Sequence, residues 1–152
     1  MAIEKTDRNL LAALQRDSTL TAQDLADTLH MSASQAGRRR QRLEADGYIT
    51  GYRARLSPEK LGLTVEAFIQ IVMATHTEQN ARDFVRLTQT RPEIVGAWTL
   101  TGEADYLLRV YCRDLAALND LVQQVLLSHP AVSRVQSQIV MERVKSDAPL
   151  PV

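Results

Sequence analysis

Residues 65–144 carry one pattern twice, and this constrains the fold more than any other feature. Val65 to Ala74 is an apolar, β-prone run. A helix follows from a Thr77 cap to Thr90, with Ala81, Phe84, Val85 and Leu87 as its inward stripe. Pro92 ends it, and Ile94 to Thr101 reads as a strand. The order then repeats. Tyr106 to Cys112 is a strand, and Asp114 caps a helix with Leu115, Leu118, Leu121, Val122 and Val125 inward. Pro130 stops it, and Val132 to Val144 is a long last strand. Two βαβ units in succession predict a ferredoxin-like βαββαβ domain, with both helices on one sheet face. Phe68, Ile69, Ile71 and Val72 in the first strand, with Leu107 and Leu108 in the third, make the strands apolar on both faces. A sheet covered on one side only should not be, so a second copy is expected to cover the other, most simply by two-fold dimerisation.

The first sixty residues read differently. Three helices are expected, the first capped by Thr6 with Leu10, Leu11 and Leu14 inward and ending near Asp17. Thr21 and Asp24 form a capping-box pair for the second, with Leu20 and Leu25 as a hydrophobic staple. After a break at His30-Met31, Ser32 and Gln35 form another box. The third helix runs to about Asp46, with Gly47 as its terminator. Two short helices across a tight turn, the second rich in arginine, form a helix-turn-helix.

Stepping about 100° per residue, Ala36, Arg40 and Leu43 share the inner side of the third helix. Ser34, Gln35, Arg38, Gln41 and Arg42 point outward, with Arg39 on the flank. Arg can bridge guanine O6 and N7, Gln can bridge adenine N6 and N7, and the N-terminus near Ser32 favours phosphate. Arg40 is expected to snorkel or to pair with an acidic neighbour. Gly37, mid-helix, would be explained by close approach of another backbone. Tyr48 to Leu56 alternates as a strand or wing. Arg53 and Arg55 on it are either phosphate contacts or ordinary exposed charges. Ser57 to Lys60 begins a short helical linker.

Composition excludes other classes. Eighteen basic and eighteen acidic side chains cancel over the 152 residues, so net charge does not select a partner. The first sixty residues hold ten Lys/Arg against eight Asp/Glu, with Arg38, Arg39, Arg40 and Arg42 clustered. No apolar run is long enough to span a bilayer and the first residues resemble no signal peptide, so a cytoplasmic protein without membrane contact is expected. The single cysteine, Cys112, excludes an intrachain disulfide and reads as a small buried hydrophobe. His30, His76 and His129 lack metal-ligand spacing, and Trp98 reads as a core residue. No phosphate-binding glycine loop or nucleophile–base set is present, so neither catalysis nor a cofactor is expected.

Asp7-x-x-Leu10-Leu11-x-x-Leu14, Asp24-Leu25-Ala26, Met31-Ser32, Arg39-x-x-x-Leu43-Glu44, Gly47-Tyr48-Ile49, Gly51-Tyr52, Leu61-Gly62 and Thr101-Gly102-Glu103-Ala104-Asp105-Tyr106-Leu107-Leu108 occur in an order and spacing that resemble the leucine-responsive / asparagine-responsive (Lrp/AsnC) regulators. Gly37 and Arg40 depart from that pattern, where relatives carry a less flexible and a β-branched apolar residue. The resemblance implies an α+β protein. Its halves would be a winged helix-turn-helix over residues 1–60 and a ferredoxin-like effector and oligomerisation domain over 61–152. It implies homodimers, often octamers, and an amino-acid effector near the Gly-x-x-Asp turn. The expected DNA-binding residues are Ser32, Ser34, Gln35, Arg38, Arg39, Gln41 and Arg42, on double-stranded DNA. Those expected at the effector are Thr101, Gly102, Glu103, Ala104 and Asp105, with Gly102 amides taking a carboxylate and Glu103 or Asp105 an ammonium. On their own residues, Gly102 and Asp105 read equally as a tight turn. An architectural DNA-binding protein whose second half only oligomerises is the alternative function. A metabolic enzyme with an accessory helix-turn-helix is a third.

Overall fold

The computed structural model describes residues 3–75 and 77–152. His76, one of the three histidines weighed above, lies outside them. The chain forms two units, residues 1–55 together with 144–152, and residues 56–143. The last nine residues therefore join the first unit instead of the ferredoxin-like half. There the Gln15 side-chain amide accepts from the Leu150 N–H at 2.6 Å and donates to the Leu150 carbonyl at 3.1 Å.

In the first unit, α1 is Lys5–Arg16, α2 Ala22–Leu29 and α3 Ala33–Ala45. Leu10, Leu14, Leu25, Ala26, Ala36 and Leu43 form its core, with Leu11, Leu20, Leu29 and Ile49 packed around them. Thr6 is not the first cap. The helix begins two residues earlier, with Glu4 in the cap position and no side-chain cap. The other two starts are as expected: Thr21 with Asp24, and Ser32 with Gln35, form complete capping boxes. Two hydrogen bonds from Thr21, side chain then backbone, hold the Asp24 carboxyl below its ordinary range. His30 makes the turn between α2 and α3 in the left-handed conformation, φ 54°. Gly47, at φ 77°, closes α3. Its N–H reaches Glu44 O at 3.1 Å and that of Tyr48 reaches Leu43 O at 2.9 Å, a Schellman closure. Gly37 has no backbone against it. A Cβ there would meet only the Ala22 methyl, at 3.8 Å.

The expected strand over 48–56 is absent. Tyr48 and Ile49 instead serve the end of α3, both N–H groups reaching Leu43 O, and residues 50–56 join no ladder, since the four-stranded sheet lies wholly in the second unit. A short 3₁₀ turn follows at Glu59–Leu61.

In the second unit, β1 is Val65–Met73, α4 Glu78–Thr90, β2 Ile94–Thr99, β3 Tyr106–Cys112, α5 Leu115–Asp120 and β4 Val132–Ile139. A π-helical turn, Leu121–Leu126, continues α5. The antiparallel sheet order β2-β3-β1-β4 is the ferredoxin-like one. β4 stops well before Val144. Ile139 pairs with Ala67, and Val140 N–H still reaches Glu66 O at 2.9 Å. Further residues would have to pair before Val65, where Gly62 turns left-handed.

Ala67, Ile69, Ile71 and Met73 alternate onto the helix-covered face. They pack with Leu108, Val110, Cys112, Phe84, Leu118, Leu121 and Leu126. Burial pushes the Cys112 thiol up, as befits a buried hydrophobe. Val85 and Leu115, expected inward, are exposed. Thr88 takes the buried place on α4, and Leu115 sits at the open first turn of α5.

The opposite face is mixed rather than apolar. It presents Phe68, Val72 and Leu107, and Trp98 lies across Gly96, half exposed instead of in the core. Beside them Glu66 accepts from Arg109 at 2.7 Å and Arg143 at 2.6 Å. No helix among the described residues is long and apolar enough to cross a membrane.

Candidate nucleic-acid interface and effector turn

The capping box and Schellman closure fix both ends of α3, and Ala36 and Leu43 bury its inner side. That leaves Ser34, Gln35, Arg38, Gln41 and Arg42 exposed and Arg39 half-buried, as the helical projection places them. Their commitments differ. Ser32 Oγ accepts from Gln35 N–H at 3.3 Å and Gln35 Oε1 accepts from Ser32 N–H at 3.1 Å, so both already serve the helix end. Ser34 Oγ lies 3.1 Å from Ser32 Oγ. Arg38 and Gln41 make no side-chain hydrogen bond among the described residues.

Arg39 and Arg42 converge on Asp7 of α1. Arg39 Nη1 donates to Asp7 Oδ1 at 2.8 Å and to Glu4 Oε2 at 3.0 Å, and Arg42 Nη2 donates to Asp7 Oδ2. The Asp7 side chain is only 4% exposed, whereas those of Arg39 and Arg42 are 30% and 51% exposed. Hydrogen bonds to Asp7 and then Glu4 hold Arg39 more firmly protonated. Thr6, His30, Gln35, Arg38, Arg39 and Arg42 line a hollow of about 520 Å³ on this side of the helix. Asp7 was missed in the sequence reading. Its signal was its place on the Leu10/Leu14 stripe, a charge where the period demands an apolar residue.

Arg40 both snorkels and pairs. It donates to Glu44 at 3.0 Å, to the Leu20 carbonyl at 3.0 Å and to the Tyr52 hydroxyl at 3.1 Å, and lies over the Tyr52 ring. Arg40 thus ties α3 to its own unit, with Tyr52 and Leu20 as partners that no periodicity signals. Arg53 is exposed, and Arg55 donates to the Asp147 carbonyl at 3.4 Å.

In the second unit, Thr101 to Asp105 form the turn between β2 and β3. Gly102 sits at φ 109°, a conformation side chains resist, with open space around it. Thr101, Gly102 and Glu103 are exposed, and Ala104 is buried. Asp105 is built into the sheet. Its N–H donates to Ile71 O at 2.8 Å, its carbonyl accepts from Leu100 N–H at 2.9 Å, and its carboxylate accepts from Met73 N–H at 2.7 Å. Of the five expected effector residues only Asp105 reaches the adjoining cleft, of about 420 Å³. Met73, Thr75, Thr77, Thr99, Leu100 and Tyr106 line it with Asp105. The threonines come from two segments, Thr75 and Thr77 from the β1–α4 connection and Thr99 from the end of β2, which the sheet brings together.

Comparison with known proteins bears on both halves. Residues 3–50 match the family model for winged helix-turn-helix DNA-binding, and residues 66–150 that for the Lrp/AsnC ligand binding domain. The DNA-binding transcriptional activator DecR of Escherichia coli (strain K12) is 37% identical over 150 residues, covering 99% of each chain. The Bkd operon transcriptional regulator of Pseudomonas aeruginosa is 32% identical, covering 93% of each. A transcriptional regulator of Neisseria meningitidis, solved as a complex with L-Met, superposes with a TM-score of 0.94. Its identity is 35%, over 99% of this chain and 97% of that one. An AsnC family transcriptional regulator of Agrobacterium tumefaciens gives 0.91 at 34% identity, over 98% and 97%.

Proposed function

Since the chain belongs to the Lrp/AsnC family of DNA-binding transcriptional regulators, we propose that the outer face of α3 reads its operator and that an amino acid bound beside the β2–β3 turn modulates the reading. The observation that carries this is the pair Arg38 and Gln41, exposed and uncommitted on a helix fixed at both ends. Ser34, Arg38 and Gln41 take the base edges. Ser32, Gln35, Arg39 and Arg42 lie toward the backbone, where cap amides and partly exposed guanidinium groups suit phosphate. The effector occupies the cleft of Thr75, Thr77, Thr99 and Asp105, whose hydroxyls and carboxylate match an ammonium and a carboxylate held together. The turn from Thr101 to Ala104 forms its rim, with Gly102 amides open to approach. Phe68, Val72, Leu107 and Trp98, unburied on the free sheet face, support a homodimer formed through that face.

An operator selected in vitro from random duplexes provides the assay. Arg38→Ala should weaken operator binding by about 1–3 kcal/mol and relax preference at one base position in gel-shift titrations. Unchanged affinity and preference would refute the assignment of α3. Melting curves with each of the twenty amino acids identify the effector, as a ligand that binds only the folded state raises Tm.

A further inference from the structure

We infer that Asp7 is a positioning residue for DNA recognition. Its buried carboxylate sets Arg39 and Arg42 at fixed places on the flank of α3 and cancels one of their two charges. This rests on the reading of α3 as the recognition helix.

A carboxylate on the apolar stripe of α1 is costly unless it is paired and hydrogen-bonded. Asp7 meets that condition with one oxygen on each guanidinium, Oδ1 on Arg39 and Oδ2 on Arg42. The arginines reach it from two positions almost one turn apart on α3. Neither depends on burial itself, since a third to a half of each side chain is open to water. A surface pair of this kind would contribute little, because two long side chains lose rotamer freedom to hold it. Here the acceptor is immobile inside a helix–helix contact, so that loss is met on folding rather than on binding DNA. Each guanidinium has five N–H groups and spends only one or two on Asp7 and Glu4. The others remain available on the side of α3 that carries Arg38 and Gln35 and lines the hollow described above.

Charge gives the inference a second consequence. Nonspecific DNA affinity follows the number of phosphates a protein neutralises, whereas specificity follows geometry. Asp7 lowers the first by one charge and secures the second. A residue needed only for folding would alter operator and random-duplex binding in parallel.

The test uses the full chain, the selected operator and a random duplex of equal length, titrated from low to physiological salt. Asp7→Asn keeps the size and removes the charge. It should tighten random-duplex binding, steepen the dependence of log K on log salt by about 1, and lower the operator-to-random ratio about tenfold. Asp7→Glu keeps the charge and displaces the oxygens by one methylene. It should leave random-duplex affinity and salt slope unchanged while lowering the ratio. Helical circular dichroism is followed throughout. Ratio and slope equal to wild type in both folded variants overturn the proposal. So does loss of the fold in both, which would make Asp7 a residue of stability alone. A wild type that does not prefer its selected operator refutes the α3 reading itself, and that result is seen before any variant is made.

Discussion

Asp105→Ala is a test of how the β2–β3 turn is built. The β1–β3 ladder ends at Ile71 opposite Tyr106, so the Met73 amide, on the β3 side of β1, lies beyond the regular pairing. The Asp105 carboxylate takes that amide at 2.7 Å, beside a residue that is only 6% exposed. Alanine removes the acceptor and leaves a buried donor. A hydrogen bond to a charged acceptor is worth about 1.5–3 kcal/mol net, and an orphaned buried donor costs a similar amount. The two backbone bonds of Asp105, to Ile71 and Leu100, survive the change. The expected loss is therefore about 2 kcal/mol. Asp105→Asn, which keeps a neutral acceptor, should lose about half as much, roughly 1 kcal/mol. Urea denaturation followed by Trp98 fluorescence reads this directly, since Trp98 lies on β2, which pairs with β3. In melting curves the alanine change should appear as a fall of about 4–8 °C for a chain of this size. Urea midpoints identical to wild type for both variants would refute the argument. The prediction also governs how effector experiments are read. Loss of ligand binding in Asp105→Ala reports on the site only at temperatures where the variant is folded.

Two further outcomes follow from the free sheet face. Burial pushes the Glu66 carboxyl up, but hydrogen bonds from Arg143, Arg109 and Tyr111 together outweigh it, leaving it below its ordinary value of 4.5. Its stabilisation should be complete above that unfolded-state value and be lost as pH falls through the lower folded-state one. Urea midpoints from about pH 6 to pH 3.5 should thus decline less steeply for Glu66→Gln than for wild type, and equal slopes would contradict it. At Gly96 a Cβ would sit 2.5 Å from the Trp98 ring. Gly96→Ala should lift the ring into solvent and shift the emission of this single tryptophan to the red. An unmoved spectrum would mean that the ring does not rest there.

Much of the fold was legible because it is written in local chemistry. The Thr21 and Ser32 boxes, the Gly47 closure and the repeated strand–helix–proline order each depend on residues a few positions apart. The outward face of α3 was legible for the same reason, since a capped helix has one period. Errors arose where a partner was needed. Tyr48 to Leu56 has strand chemistry but no neighbour in its unit, and β4 ends where β1 has no more residues to offer.

The two-part architecture, the helix-turn-helix and the family follow from local patterns, because caps, periods and motif order need no long-range contact to be read. What the charged residues do depends on the folded packing. Packing joins Asp7 to arginines more than thirty positions away, sets Asp105 against the Met73 amide across the sheet, and brings Thr99 to Thr75 and Thr77 in the cleft. A buried ion pair or an orphaned amide finds its partner through packing geometry, which no local pattern encodes.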